Sequence, residues 1–103
     1  MEERLTVRDD VGAGSYQAVL DGEVVGVLRY DRRGGRFVVR STVVDPKHRN
    51  QGVAGRLVRA ALDDAAAGGL SVTNYCGFVT GFLAANPEYL QLVDARFPGK
   101  IPA

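Results

Sequence analysis

The chain has 103 residues, 46% of them apolar and 24% charged, with a formal net charge of +1. A single domain over residues 1–103 is expected, able to bury roughly two-thirds of the surface its unfolded chain exposes. The near-neutral balance provides no field to draw in nucleic acid or an anionic membrane, and no apolar run approaches the ~18 residues needed to cross a bilayer.

The start, Met1-Glu2-Glu3-Arg4, is charged and does not read as a signal peptide. Leu5-Thr6-Val7 is a short alternating strand, followed by a turn on Asp9, Asp10, Gly12 and Gly14. Ser15–Leu20 is the second strand. Asp21-Gly22 is a two-residue hairpin signal, because such a turn requires positive φ at both central positions. Glu23–Tyr30 is the third strand, and Asp31–Gly35 the turn after it. Arg36–Val44 is the longest β-rich run, with Phe37, Val39, Ser41 and Val43 sharing one face. These segments predict a four-stranded antiparallel meander.

At Asp45-Pro46 the pattern changes, because proline cannot donate to a sheet ladder. Ala54, Leu57, Val58, Ala61, Leu62 and Ala65 then recur at the spacing of an amphipathic helix. Gly68-Gly69 ends it. Leu70–Thr73 is a fifth strand, parallel to the fourth because a helix joins them. Gly77–Ala85 reads as a second helix with Phe78, Val79, Phe82 and Leu83 inward. Asn86 is placed as an N-cap and Pro87 as the first residue of a third helix reaching about Asp94. The tail from about 97 to 103 is expected to be loose. The fold class is α/β in the α+β sense.

The segment Arg49-Asn50-Gln51-Gly52-Val53-Ala54-Gly55 joins a strand to a helix. The first N–H groups of a helix have no internal partner, and the helix dipole favours an anion beside them. Small residues at Gly52, Ala54 and Gly55 leave room for a pyrophosphate, with Arg49, Arg56 or Arg59 to pair with its oxygens. A plain turn with a glycine-tolerant helix start has the same spacing. No Gly-Lys-Ser/Thr follows, so it is not a nucleotide-triphosphate loop.

Arg49-x-x-Gly52-x-Ala54 resembles the R/Q-x-x-G-x-G/A signature of the acetyl-CoA-dependent N-acetyltransferase (GNAT) superfamily. Further along, Ala60-Ala61-Leu62-Asp63-Asp64-Ala65, Cys76-Gly77-Phe78-Val79 and Asn86-Pro87-Glu88-Tyr89 resemble its compact YjdJ-type branch. The likeness spans about residues 15 to 93. It implies a GNAT-like fold that binds acetyl-CoA or coenzyme A through Val43, Val44, Arg49, Asn50, Gln51, Gly52, Val53, Ala54, Gly55, Arg56 and Asn74. It also implies that the fourth and fifth strands splay, placing a thioester near Thr42, Val43, Val44 and Val72, Thr73, Asn74. The acceptor is then an amine, borne by a small molecule or a protein, and the chain a monomer or weak dimer.

Cys76 is the one cysteine. It suits a reducing, cytoplasmic setting and stands at the start of the Gly77 helix, a position that favours thiolates. The resemblance implies an active-site role, either accepting the acetyl group or shuttling a proton; a buried cysteine acting as a small hydrophobe is the alternative. The chain departs from its likeness at Ser41 and Val43, where relatives often carry histidine and glutamate. Relatives also often carry proline at Asn74 and Gly77, and tyrosine at Phe82. Those losses leave open a second function, a non-catalytic CoA-binding or sensing module. Tyr75, Tyr89 and Thr42 remain as polar candidates, and His48 is placed as an exposed loop residue beside the phosphates. No metal-ligand spacing is present. Asp63-Asp64 and Glu2-Glu3 read as solvated faces, and Arg59 and Asp63 as a weak helix-surface pair.

Overall fold

The computed structural model describes residues 4–103, so the charged start at Met1-Glu2-Glu3 lies outside it. Five strands form one sheet in chain order: β1 (Thr6–Asp10), β2 (Ser15–Leu20), β3 (Glu23–Arg33), β4 (Arg36–Val44) and β5 (Ser71–Asn74). The first four pair antiparallel, and β4 and β5 pair parallel. Asp21 and Gly22 both take positive φ, 51° and 84°, as the mirror-image turn demands. β3 runs past Tyr30 to Arg33, because Gly34-Gly35 alone closes the next hairpin and Arg33 pairs with Arg36.

The face expected of β4 breaks at a bulge. Arg29 pairs with Ser41 and Tyr30 with Val39, so Arg40 is the extra residue. An extra residue inverts the alternation beyond it. Phe37 and Val39 are in the core, but Val43 is 63% exposed, while Val44 packs on the core instead.

Helix α1 (Val53–Ala67) lays Val53, Leu57, Val58, Ala61, Leu62 and Ala65 on the sheet. They meet Tyr16, Leu28, Tyr30, Phe37 and Val39 in one core cluster. Tyr16, Tyr30 and Phe37 also contact one another, with centroids 4.6–6.2 Å apart. Burying one such aromatic ring contributes about 1.5–3 kcal/mol. The Tyr16 hydroxyl donates to Asp64 Oδ2 at 2.8 Å, so Asp64 ties the helix to the sheet and is not merely solvated. Arg59 does not pair with Asp63 directly: Tyr89 stands between, donating to Asp63 Oδ1 and accepting from Arg59 Nη1.

Helix α2 (Gly77–Ala85) buries Val79, Phe82 and Leu83 but leaves Phe78 47% exposed. Four apolar positions in its first seven residues span a wider arc than one packing surface covers. Asn86 makes no side-chain cap for the helical turn after it; its Nδ2 donates back to the Phe82 carbonyl at the end of α2. Pro87–Leu92 is a 3₁₀ helix rather than an α-helix, and it ends before Asp94 because Val93 bridges to Val72.

The tail is also not loose as far as Lys100. The Asn74 N–H donates to the Pro98 carbonyl at 3.1 Å, and the Lys100 N–H donates to the Asn74 carbonyl at 2.6 Å. The tail thereby occupies the edge of β5, whose unpaired backbone groups supply the driving force.

Candidate functional site

β4 and β5 remain paired only from Arg36–Ser71 to Val39–Asn74. The last link is the Tyr75 N–H to the Val39 carbonyl at 2.9 Å. Beyond it β5 leaves for α2, while β4 continues to Val44 against β3 alone. The strands therefore fork, and the bulge at Arg40 falls at the fork. Below it opens a cleft of about 460 Å³ lined by Thr42, Val43, Val44, Phe78, His48 and the turn before α1.

That turn is shaped by two left-handed residues, Asn50 with φ 64° and Gly52 with φ 80°. Asparagine and glycine tolerate this region at little cost. The first α1 hydrogen bond is Arg56 N–H to the Gly52 carbonyl, at 3.1 Å. The N–H groups of Val53, Ala54 and Gly55 precede it and are free for an anion. A Cβ added at Gly52 or Gly55 would meet no protein atom within 4 Å, so the missing side chains leave open space against the backbone.

Of the residues expected to bind a cofactor, the cleft gathers Val43, Val44, Arg49, Asn50, Gly52, Val53, Ala54 and Gly55. Gln51, Arg56 and Asn74 do not line it. The Arg56 guanidinium is drawn away, donating to the Leu5 carbonyl at 3.0 Å. Asn74 is fully buried and its polar groups are spent: Nδ2 donates to the Cys76, Lys100 and Thr80 oxygens, and Oδ1 accepts the Cys76 N–H. Asn74 thus positions Cys76 and pins the tail.

Cys76 is 6% exposed and precedes α2. Its thiol donates to Thr42 Oγ1 at 3.4 Å, and Thr42 is a wall of the cleft. Tyr75 stacks its ring under the Arg40 guanidinium, and Tyr89 is engaged with Asp63 and Arg59. Burial and the Asp9 carboxylate push the Tyr30 hydroxyl up to about 12, and burial and Asp64 push Tyr16 higher still.

Two lining residues sit differently from expectation: His48, expected exposed beside the phosphates, is part-buried, and Phe78, expected inward, lines the cleft. His48 is half-buried, at the end of a 3₁₀ turn over Pro46–His48 that Asp45 caps through the Lys47 N–H. Its Nδ1 is buried without a protein partner, a state costing about 1–3 kcal/mol unless a bound group satisfies it. The Asp45-Pro46 pair is the available signal, since it starts a turn that folds His48 back. Phe78 is expected in the core because its spacing matches Val79, Phe82 and Leu83; only the end of α2 over the cleft decides otherwise. Among the described residues no cluster of metal ligands occurs, and no helix is long and apolar enough to cross a membrane.

A meander, a forked parallel pair and a helix start with free N–H groups define an α+β protein whose split sheet opens beside a place able to accept an anion. The family model of the GCN5-related N-acetyltransferases matches residues 15–93, and the chain belongs to that family. Solved structures agree on the fold. The ribosomal-protein-S18-alanine N-acetyltransferase of Escherichia coli aligns with TM-score 0.56 and 18% identity, over 88% of this chain and 52% of that one. A GNAT-family acetyltransferase of Staphylococcus aureus gives 0.54 and 18%, over 79% and 53%. The diaminobutyrate acetyltransferase of Paenibacillus lautus, solved with L-2,4-diaminobutyric acid and coenzyme A, gives 0.53 and 20%, over 81% and 51%. The chain thus spans about half the length of these three. A comparison with curated proteins yields no significant match.

Proposed function

We propose that the chain binds acetyl-CoA and transfers its acetyl group to an amine, with Cys76 beside the reacting thioester. The observation that carries this reading is the cleft joining three free helix N–H groups to the β4–β5 fork. The backbone of Val53, Ala54 and Gly55 would hold the pyrophosphate, and Arg49 would pair with its oxygens. The orphaned His48 Nδ1 and the open space at Gly52 and Gly55 fit a ligand with phosphate oxygens. Acetyl-CoA, when bound, supplies the acetyl group as an activated thioester. At the fork, Cys76 is the group able to move a proton at Sγ from the attacking amine to the departing CoA thiolate, or to carry the acetyl group itself as a thioester, its own proton passing to the released CoA thiol. Thr42 fixes its thiol through the hydrogen bond to Oγ1, and Asn74 fixes its backbone.

One observation favours a second reading, a non-catalytic CoA-binding or sensing module. Among the described residues the only side-chain partner of the Cys76 thiol is a hydroxyl, with no carboxylate or imidazole hydrogen-bonded to it. Calorimetry with CoA tests both readings, and failure to bind removes both. Intact mass after incubation with acetyl-CoA then separates them. A gain of one acetyl group on wild type but not on Cys76→Ala supports acetyl transfer through the thiol. Tight binding without turnover on any amine supports the module.

A further inference from the structure

Away from the cleft, a smaller hollow of about 270 Å³ is lined by Arg33, Arg36, Val38, Arg40 and Tyr75. Phe37 and Val39 face α1, so Arg36 and Val38 alternate onto the opposite face of the sheet. There Arg33 and Arg36 are direct cross-strand partners. Like charges placed opposite one another destabilise a hairpin, where a pair of opposite sign would add stability.

Neighbouring acids relieve this pair only in part, through the attraction between Asp94 and Arg36. Asp31 bonds the Nε of Arg40 at 2.8 Å, leaving that guanidinium's remaining donors free. Asp94, which several hydrogen bonds and Arg36 hold below the usual carboxylate range, already accepts from Ser71 Oγ and from the Arg96 and Phe97 N–H groups. Arg33 makes no side-chain hydrogen bond or ion pair among the described residues. Arg36 is braced, with Nη1 on Thr73 Oγ1 at 3.0 Å and its guanidinium 4.6 Å over the Phe97 ring. Arg40 lies 5.5 Å over the Tyr75 ring. Braced guanidinium groups lose little freedom on binding and match the paired oxygens of a carboxylate or phosphate.

Tyr75 also fixes where the hollow ends. Its N–H is the last link between β5 and β4, and Cys76 follows it. The hollow therefore reaches the fork from the face opposite the cleft. We propose that Arg33, Arg36 and Arg40 hold the carboxylate or phosphate of a small amine acceptor, presenting the amine at the fork. The hollow has room for one charged group of a small molecule. The anion site stands on its own geometry; its assignment to the acceptor rests on the acetyl transfer proposed above.

The test is titration of the full chain with inorganic phosphate, followed by backbone and arginine side-chain NMR. Shifts are expected at Arg33, Val38, Arg40 and Tyr75, separable from any at Gly52–Gly55. Arg33→Glu is expected to weaken this phosphate binding at least tenfold. Its melting temperature should hold or rise, since the new carboxylate would then face Arg36 with opposite charge, and its CoA-induced shifts at Gly52–Gly55 should persist. Arg33→Lys, which keeps the charge, is expected to retain most of the phosphate shifts. Turnover on β-alanine and its uncharged amide identifies the anion's source: wild type should favour the acid at least tenfold in kcat/KM, and Arg33→Glu should lose that preference. Shifts confined to Gly52–Gly55, or unchanged by Arg33→Glu, overturn the anion site. Phosphate binding without preference for the acid overturns the assignment to the acceptor. Phosphate held normally with no turnover on either amine overturns the assignment to the acceptor and leaves the anion site standing, while the acetyl-transfer reading falls only with the calorimetry and intact-mass results above.

Discussion

Gly99→Ala tests whether the tail is part of the site's support. Gly99 has φ 74°, in the left-handed region, and bridges to Asn74 in the extension of β5. An added Cβ would overlap the Asn74 carbonyl oxygen and stand 2.7 Å from its carbonyl carbon, so backbone must move. The conformation alone costs an alanine about 1–2 kcal/mol. If the tail detaches instead, the bonds from Asn74 N–H to Pro98, from Lys100 N–H to Asn74, and from Asn74 Nδ2 and Thr80 Oγ1 to Lys100 are lost. Each contributes about 0.5–1.5 kcal/mol. The chain takes the cheaper route, so the expected loss is about 2–4 kcal/mol. Urea unfolding measures it, with Gly35→Ala as control because a Cβ there meets nothing within 4 Å. Hydrogen exchange should accelerate at the Asn74 and Lys100 amides, and then at Cys76, whose N–H rests on Asn74 Oδ1. If Gly99→Ala costs no more than Gly35→Ala, the tail does not brace β5.

Gly55→Leu should weaken CoA binding at least tenfold by calorimetry, because the new side chain fills the open space against the free N–H groups. Its stability should hold or rise by up to about 1 kcal/mol, since leucine is the better helix former; equal affinity would place the ligand elsewhere. Alkaline unfolding follows from Tyr16 and Tyr30, both raised above the ordinary 10.0 by burial and a carboxylate partner. The unfolded chain releases these protons first, so their contribution is intact below pH 10 and declines above it, for Tyr30 up to about 12. Tyr30→Phe should flatten stability against pH in that window, and an unchanged slope would show that Asp9 does not hold the hydroxyl proton.

The sequence by itself determined the meander, the crossover helix and the turn before that helix. These rest on local chemistry: positive φ at Asp21-Gly22, proline at 46, the spacing of Leu57, Val58, Ala61 and Leu62, and the small residues at 52, 54 and 55. The resemblance carried by Arg49-x-x-Gly52-x-Ala54 and the later motifs pointed to the family. Tertiary structure decided whatever depends on partners distant in sequence. The Arg40 bulge is a mismatch between two strands, and it turned Val43 out and Val44 in. Arg56 was claimed by Leu5, Asn74 by the tail, and Asp64 by Tyr16, each across a separation no local pattern encodes. His48 and Phe78 entered the cleft because a turn and a helix end face it. The Arg49–Gly55 turn was legible because its backbone shapes the candidate anion site; the surroundings of Cys76 were not, because side chains from β4, β5 and the tail make them.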